Sequence, residues 1–172
     1  MECLTPTEVS RWLCAHSLVE DPAHADVDNP PPHGFEFYAP TTYYGLECFV
    51  DAVLNEVVGH HTVLLVATDC NPSSRSRDFI IDGLRRSIGE ARLDVDAPGY
   101  VVPANELEKA VGLFSLMSGF RWKCYLYCGD AQLTMYNWSG SIFEVWAPSL
   151  QRVEHVRTIV RNFDLKELPT DV

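Results

Sequence analysis

The last third of the chain restricts the fold more than any other part of the sequence. Three segments of strand-forming residues, Trp122–Cys128, Gln132–Trp138 and Ile142–Trp146, are separated only by short turns that contain Gly129 and Gly140. Strands joined by so few residues must run antiparallel, because a parallel connection needs a dozen residues or more. The sequence therefore predicts a three-stranded antiparallel meander.

The alternation within this meander assigns its side chains to two faces. Successive residues of a strand point to opposite sides, so Cys124 and Leu126 share one face while neighbouring tyrosines share the other. Aromatic side chains that stay exposed on a rigid sheet form a plausible protein-binding surface, whereas helices covering both faces would make the same rings part of the core. Both interpretations stay open at this stage for the four rings concerned, Tyr125, Tyr127, Tyr136 and Trp138.

The remainder of the chain alternates between helical and strand periodicity. Thr5 and Glu8 form a capping-box pattern with Pro6 at the first helical position, and Gly59 stands where a helix needs a left-handed residue to end. The predicted helices cover about 5–19, 42–58, 74–88, 104–118 and 150–163, and the additional strands cover 35–38, 62–69 and, less regularly, 100–102.

This order of elements predicts an α+β fold in a single domain over residues 1–172. The sheet is expected to be mixed or antiparallel, with the C-terminal meander and about five packed helices. Residues 20–33 are rich in proline and aspartate and lack apolar periodicity, so they are predicted to form an exposed loop. Residues 164–172 are predicted to be a loosely ordered tail.

The charge of the chain limits its partners. Its 24 acidic residues outnumber its 13 basic ones, which gives a net charge of −11 and a pI near 4.8. Binding to nucleic acid or to an anionic membrane requires clustered lysine and arginine, so neither is expected. The same charge would steer a basic protein toward this one, so a basic protein is the expected partner.

The N-terminal segment and the cysteines indicate a cytoplasmic location. The chain starts Met-Glu-Cys-Leu-Thr-Pro, without the apolar segment of a secretory leader, and no apolar run approaches the roughly 20 residues that cross a bilayer. Three of the six cysteines fall in amphipathic or buried elements, as reduced thiols of a cytosolic protein do. We therefore expect a soluble, cytoplasmic protein.

One cysteine could carry catalysis. Cys70 lies where the strand 62–69 ends and the next helix begins, with Arg75 and Arg77 close behind it. Amides at a helix N-terminus and nearby guanidinium groups lower the pKa of a thiol and attract an anion. The layout resembles Cys-based phosphatases and rhodanese-type sulfurtransferases, and that resemblance implies a phosphate- or sulfur-containing substrate. The phosphatase arginine follows after five residues, between the positions of Arg75 and Arg77, and Pro72 removes one of the loop amides.

Metal and cofactor sites are not expected. The sequence contains no CxxC, no HExxH and no glycine-rich phosphate loop. Cys124 and Cys128 share a strand face but are four residues apart, about 13 Å, which is too far for one zinc ion. The prediction is that the protein has no cofactor and no metal.

These observations favour a non-catalytic protein-binding module over an enzyme. The concrete form is an immunity or inhibitor protein against a basic partner, with Tyr125, Tyr127, Tyr136 and Trp138 as its binding residues. The alternative is a Cys-dependent enzyme, phosphatase- or sulfurtransferase-like, centred on Cys70 with Arg75 and Arg77 binding the anion. A structural or regulatory domain is the third option, and composition alone does not separate it from the first.

Overall fold

A computed structural model describes residues 1–22, 33–59, 61–69 and 75–169, with the backbone alone at 69 and 75–79. The helices are α1 (Pro6–Ala15), α2 (Tyr43–Val53), α3 (Arg75–Ser87), α4 (Leu107–Gly119) and α5 (Leu150–Asn162). The strands are β1 (Glu2–Leu4), β2 (His33–Tyr38), β3 (Val63–Asp69), β4 (Gly99–Val102), β5 (Lys123–Cys128), β6 (Leu133–Trp138) and β7 (Ile142–Ala147). None of the helices in these ranges has both the length and the apolar composition needed to cross a bilayer.

The seven strands form one sheet in the order β1-β4-β3-β5-β6-β7-β2. Every pairing between these neighbours is antiparallel, so of the two predicted sheet types the antiparallel one is correct. The strands β5, β6 and β7 lie side by side as a meander, which confirms the prediction made from their short turns. The α+β class is thereby confirmed.

The main hydrophobic core lies between one face of the sheet and the helices α2, α4 and α5. Fully buried phenylalanine rings meet there from both layers: Phe37 and Phe143 come from the sheet, and Phe49 comes from α2. The Phe37 ring centroid lies 5.4 Å from that of Phe49 and 5.8 Å from that of Phe143, both edge-on. These contacts fix where α2 sits on β2 and β7.

The opposite face carries a smaller core beneath α1. Leu13 of α1 packs with Leu4 and Leu64 of the sheet and with buried tyrosines of the meander. Because α1 packs on this face near β1, β3 and β5, this half of the sheet has described helices on both sides.

The capping box predicted at the start of α1 is present. The hydroxyl and the backbone N–H of Thr5 each donate to Glu8 Oε2 at 2.8 Å, and the Glu8 amide donates back to Thr5 Oγ1. These bonds satisfy amides that have no partner within the helix.

Replacing Thr5 with alanine is expected to lower the free energy of unfolding by about 1 kcal/mol, because the cap is lost. Urea denaturation measures the change. Thr7→Ala is the matched control, because Thr7 is exposed in the first turn and alanine is a good helix former. Equal destabilisation by the two substitutions would contradict a capping role for Thr5.

Both edges of the sheet are occupied by other parts of the chain. At the β2 edge, the Tyr38 amide donates to the Lys166 carbonyl and the Leu168 amide donates to the Glu36 carbonyl, each at 2.9 Å. This part of the predicted loose tail is therefore attached to the sheet. At the β1 edge, Arg92 Nη2 donates to the Cys3 carbonyl at 2.9 Å. Such bonds remove backbone groups that would otherwise invite pairing with another chain.

Arg85 on α3 is buried and organises the segment that leads into β4. Its Nη1 donates to Asp94 Oδ1 at 3.1 Å, to the Ala97 carbonyl at 2.9 Å and to Tyr100 Oη at 3.0 Å. Its Nη2 donates to the carbonyls of Arg92 and Leu93, both at 3.1 Å. One guanidinium group thus holds most of an irregular loop in place.

Candidate functional site

The register of four strands aligns the meander tyrosines with two glutamates. Tyr125 on β5 pairs with Tyr136 on β6, which pairs with Glu144 on β7, and Glu144 in turn pairs with Glu36 on β2. Paired residues on adjacent antiparallel strands point to the same face, about 5 Å apart. The sheet therefore carries a row of two tyrosines followed by two carboxyl groups, on the face opposite α2, α4 and α5.

A second row lies beside the first, at the end of β6 and β2. Trp138 pairs with Ile142, which pairs with Tyr38. Tyr38 is 51% exposed and Trp138 is 38% exposed, so both rings present apolar area to solvent. We call the group formed by Tyr38, Ile142, Trp138, Glu36 and Glu144 the acid–aromatic surface.

The four aromatic residues predicted to form the binding surface do lie on one face, but they differ in exposure. Tyr125, Tyr127 and Tyr136 are only 8%, 1% and 7% exposed, and only Trp138 reaches solvent substantially. The Tyr125 ring centroid is 4.3 Å from that of Tyr136 and 5.2 Å from that of Tyr127, so the three tyrosines form a stack.

The tyrosine stack is held by the segment that follows α1. The Tyr127 hydroxyl donates to the Glu20 carbonyl, and Asp21 hydrogen-bonds to Tyr125. These contacts cover the tyrosine stack, so among the described residues the aromatic rings of this face most open to solvent are those of Tyr38 and Trp138 in the acid–aromatic surface.

Glu144 is the most unusual polar group of this surface. It is 9% exposed, and its Oε2 atom has no hydrogen-bond partner within the described ranges. Burial raises the pKa of the Glu144 carboxyl to about 7; its hydrogen bond to Trp138 opposes this shift, whereas Glu36 and Asp21 add to it. An acid of this kind keeps a proton into the neutral range.

The pairing of Glu144 with Glu36 explains how two acids can lie opposite each other. Two carboxylates at this spacing repel, so a hydrogen bond between them requires that one keeps its proton. Glu36 lies opposite Glu144 and adds to the rise of its pKa, so Glu144 is the acid that keeps the proton, and Glu36, on the edge strand, is exposed. The pair therefore carries one negative charge when protonated and two when the proton leaves.

The stability of the protein should depend on pH through Glu144. The folded-state pKa of about 7 lies above the ordinary value of 4.5, so the folded form binds more protons than the unfolded form between these limits. The stability that this extra proton binding contributes is complete below about pH 4.5, falls as the pH rises and is lost above about pH 7. Other groups titrate as well, so the quantity to measure is the difference between wild type and Glu144→Gln.

The free energy of unfolding of Glu144→Gln minus that of wild type is expected to rise by about 1 kcal/mol from pH 5 to pH 8. This figure allows for solvent screening. Urea denaturation at a series of pH values gives this difference. A constant difference over the whole pH range would show that Glu144 titrates normally.

Gly34 on β2 lies directly opposite Trp146 on β7 and leaves room for the Trp146 indole. A Cβ placed on Gly34 would lie 2.5 Å from Trp146 Cδ1, so the ring packs directly on the β2 backbone. The glycine is required here by a close approach, since its neighbour on β7 leaves no room for a side chain.

The alternative catalytic residues are placed only in part. Cys70 lies outside the described residues, and Arg75 and Arg77 are described only as backbone positions in the first turn of α3. The predicted strand and helix are present as β3 and α3, and the turn predicted between them lies outside the described residues.

The two meander cysteines are poor candidates for reactivity. Burial raises the pKa of the Cys124 thiol to about 12, with Asn137 opposing the shift, and burial also raises that of Cys128. Both thiols are protonated and packed in the main core. Across the described ranges, no three His, Cys, Asp or Glu side chains are grouped so that they could hold a metal ion.

The sequence did not single out Glu36 or Glu144, because an acidic chain offers many carboxylates. One signal was present: each is the lone acid within an otherwise apolar strand, in Phe-Glu-Phe on β2 and in Phe-Glu-Val on β7. A lone acid in such a strand faces away from the main core, but only the register shows that the two acids meet.

The fold and this site define an α+β protein with an antiparallel sheet that presents an acid–aromatic surface opposite its three core helices. No protein-family model matches the chain, and neither a curated protein nor a solved structure matches it.

Proposed function

We propose that this protein acts by binding a basic protein, without catalysis, through the acid–aromatic surface. The observation that carries the proposal is the adjacency of two rows: the exposed rings of Tyr38 and Trp138 in one, and the Glu36–Glu144 pair in the next. Rigid aromatic side chains are common energetic centres of protein interfaces.

Charge supports the choice of a basic partner. The chain has a net charge of −11, and the surface itself contributes two carboxyl groups with Asp21 close to them. The strands of this face contribute one lysine, Lys123, whose Nζ lies 5.6 Å from the Trp138 ring centroid. A basic partner would be attracted over long range, and its association should weaken with salt.

An immunity or inhibitor protein that neutralises a basic toxin is the concrete form we favour. Such a protein needs a stable scaffold and a preformed acidic surface, and it works in the cytoplasm, where we place this one. The Cys70 enzyme remains the alternative class, since the chemistry of that loop is independent of the acid–aromatic surface.

The test uses the immobilised protein to retain partners from a lysate of its source. Wild type is compared with Tyr38→Ser/Trp138→Ser, which removes the two exposed rings, and with Leu150→Ser, which removes an exposed apolar residue at the start of α5. We expect a basic protein on the wild-type and Leu150→Ser columns that about 0.5 M salt releases. The double variant should retain much less of it. Equal retention by the double variant, or no retained protein, would overturn the proposal.

A further inference from the structure

We propose that the Glu36–Glu144 pair is a subsite for one guanidinium group, supplied by an arginine of the basic partner. This inference rests on the proposed function and names the side chain that the acid–aromatic surface recognises.

The first support is the unpartnered oxygen. Glu144 is nine-tenths buried, yet its Oε2 makes no hydrogen bond to any described residue. Buried carboxylate oxygens without a donor are costly, so a site of this kind is complete only with a donor from outside. Glu36, directly opposite on β2, is itself exposed and gives the approach from solvent.

The second support is the shape and charge of the pair. Two carboxyl groups side by side offer acceptor oxygens to the N–H donors on two edges of a planar guanidinium group. An ammonium group lacks this planar arrangement of donors and matches the pair less well. The guanidinium would bind the form of the pair in which both carboxyls are ionised, so the proton held by Glu144 leaves. That proton passes to the buffer, and each of the two ionised carboxyls accepts a charge-assisted hydrogen bond from the guanidinium.

The third support comes from two arginines of this chain, each of which contacts an aromatic ring and a carboxylate at the same time. Arg157 Cζ lies 4.6 Å from the Phe35 ring centroid while its nitrogens bond Glu154 and Glu167, at 2.5 and 3.0 Å. Arg85 similarly combines an aromatic ring, that of Tyr100, with a carboxylate.

The Glu36–Glu144 pair offers the same combination of groups, and no arginine whose side chain the structure describes bonds to it. Carboxylates are present, the exposed rings of Tyr38 and Trp138 stand in the neighbouring row, and the largest charge effects on Glu144 come from other acids, Glu36 and Asp21. The described part of the chain thus supplies the carboxylates and the rings but not the guanidinium.

The test needs no partner, so its failure is distinct from failure of the proposed function. Protein labelled with ¹³C at the glutamate carboxyls is titrated with N-acetyl-arginine amide, and separately with N-acetyl-lysine amide, at pH 7.5. We expect saturable shifts of the Glu36 and Glu144 signals with the arginine probe and at least tenfold weaker binding of the lysine probe. With the arginine probe bound, the pKa of Glu144 should fall by at least one unit, since the bound cation favours the ionised form.

The variants identify the site and guard against misfolding. Glu144→Gln and Glu36→Gln keep the side-chain shape, and each should weaken arginine-probe binding at least tenfold, whereas Glu108→Gln on α4 should not. Backbone amide spectra confirm that each variant is folded. Three results would overturn the inference: shifts that do not saturate, equal binding of the lysine probe, or unchanged binding by Glu144→Gln.

Discussion

Replacing Arg85 with methionine is expected to lower the free energy of unfolding by about 3–5 kcal/mol, as the loss of one partner from a buried ion pair does. Arg85 is 1% exposed, so its charge is buried by the fold and compensated there by Asp94. Methionine fills similar space but removes the cation that compensates the Asp94 carboxylate and the donor to the carbonyls of Arg92, Leu93 and Ala97.

Arg86→Met is the matched control for this prediction. Arg86 is the next residue of α3 and is exposed, so its loss should change stability by less than about 0.5 kcal/mol. Chemical denaturation of both variants and wild type gives the comparison. If Arg85→Met unfolds at the same denaturant concentration as Arg86→Met, the buried network does not stabilise the fold.

Replacing Tyr127 with serine is expected to cost about 3 kcal/mol or more, the range for emptying a large buried aromatic site. Tyr127 is 1% exposed, stacks on Tyr125 and packs in the smaller core beneath α1. Tyr127→Phe keeps the ring and removes only the hydrogen bond to the Glu20 carbonyl, so it should cost about 1 kcal/mol.

The comparison for this prediction is Tyr38→Ser, at a half-exposed ring of the same face. Its free energy of unfolding should stay within about 0.5 kcal/mol of wild type. A large loss of stability in Tyr127→Ser with little loss in Tyr38→Ser would show that the tyrosine stack belongs to the core and that the acid–aromatic surface does not. Near-zero loss at Tyr127 would mean that the tyrosine stack is not core.

Short-range patterns in the sequence predicted much of this fold. Three features are decided within a few residues: the Thr5–Glu8 cap, the positive φ of 65° at Gly59 and the alternation that puts Cys124 opposite Tyr125. The meander was also predictable, because a short connection leaves a strand little choice of neighbour.

Long-range pairing was not predictable from those patterns. The period of two tells which face a residue takes but not which strand lies beside it, so the approach of Glu36 on β2 to Glu144 on β7 could not be derived. Burial of Arg85 was hidden for a similar reason, since its partners are loop carbonyls without a sequence signature. The strand β1 has three residues, too few to show a period.

For the candidate site, too, the short-range pattern was predictable and the long-range packing was not. The sequence placed four aromatic residues on the correct strands, but whether a ring on a sheet is covered depends on chain that packs from elsewhere. Tyr127 is covered because its hydroxyl meets Glu20 after α1, whereas Trp138 at the end of β6 stays 38% exposed.

The affinity of the retained basic partner for variants that each lose two carboxyl groups tests the central claim most directly. Titration calorimetry at 50 and 300 mM salt compares wild type with Glu36→Gln/Glu144→Gln and with Glu56→Gln/Glu108→Gln, which removes two exposed acids elsewhere on the molecule. We predict at least tenfold weaker binding and a smaller salt dependence for the Glu36→Gln/Glu144→Gln variant alone. Equal loss in both variants would contradict recognition at the acid–aromatic surface and leave only a general effect of net charge.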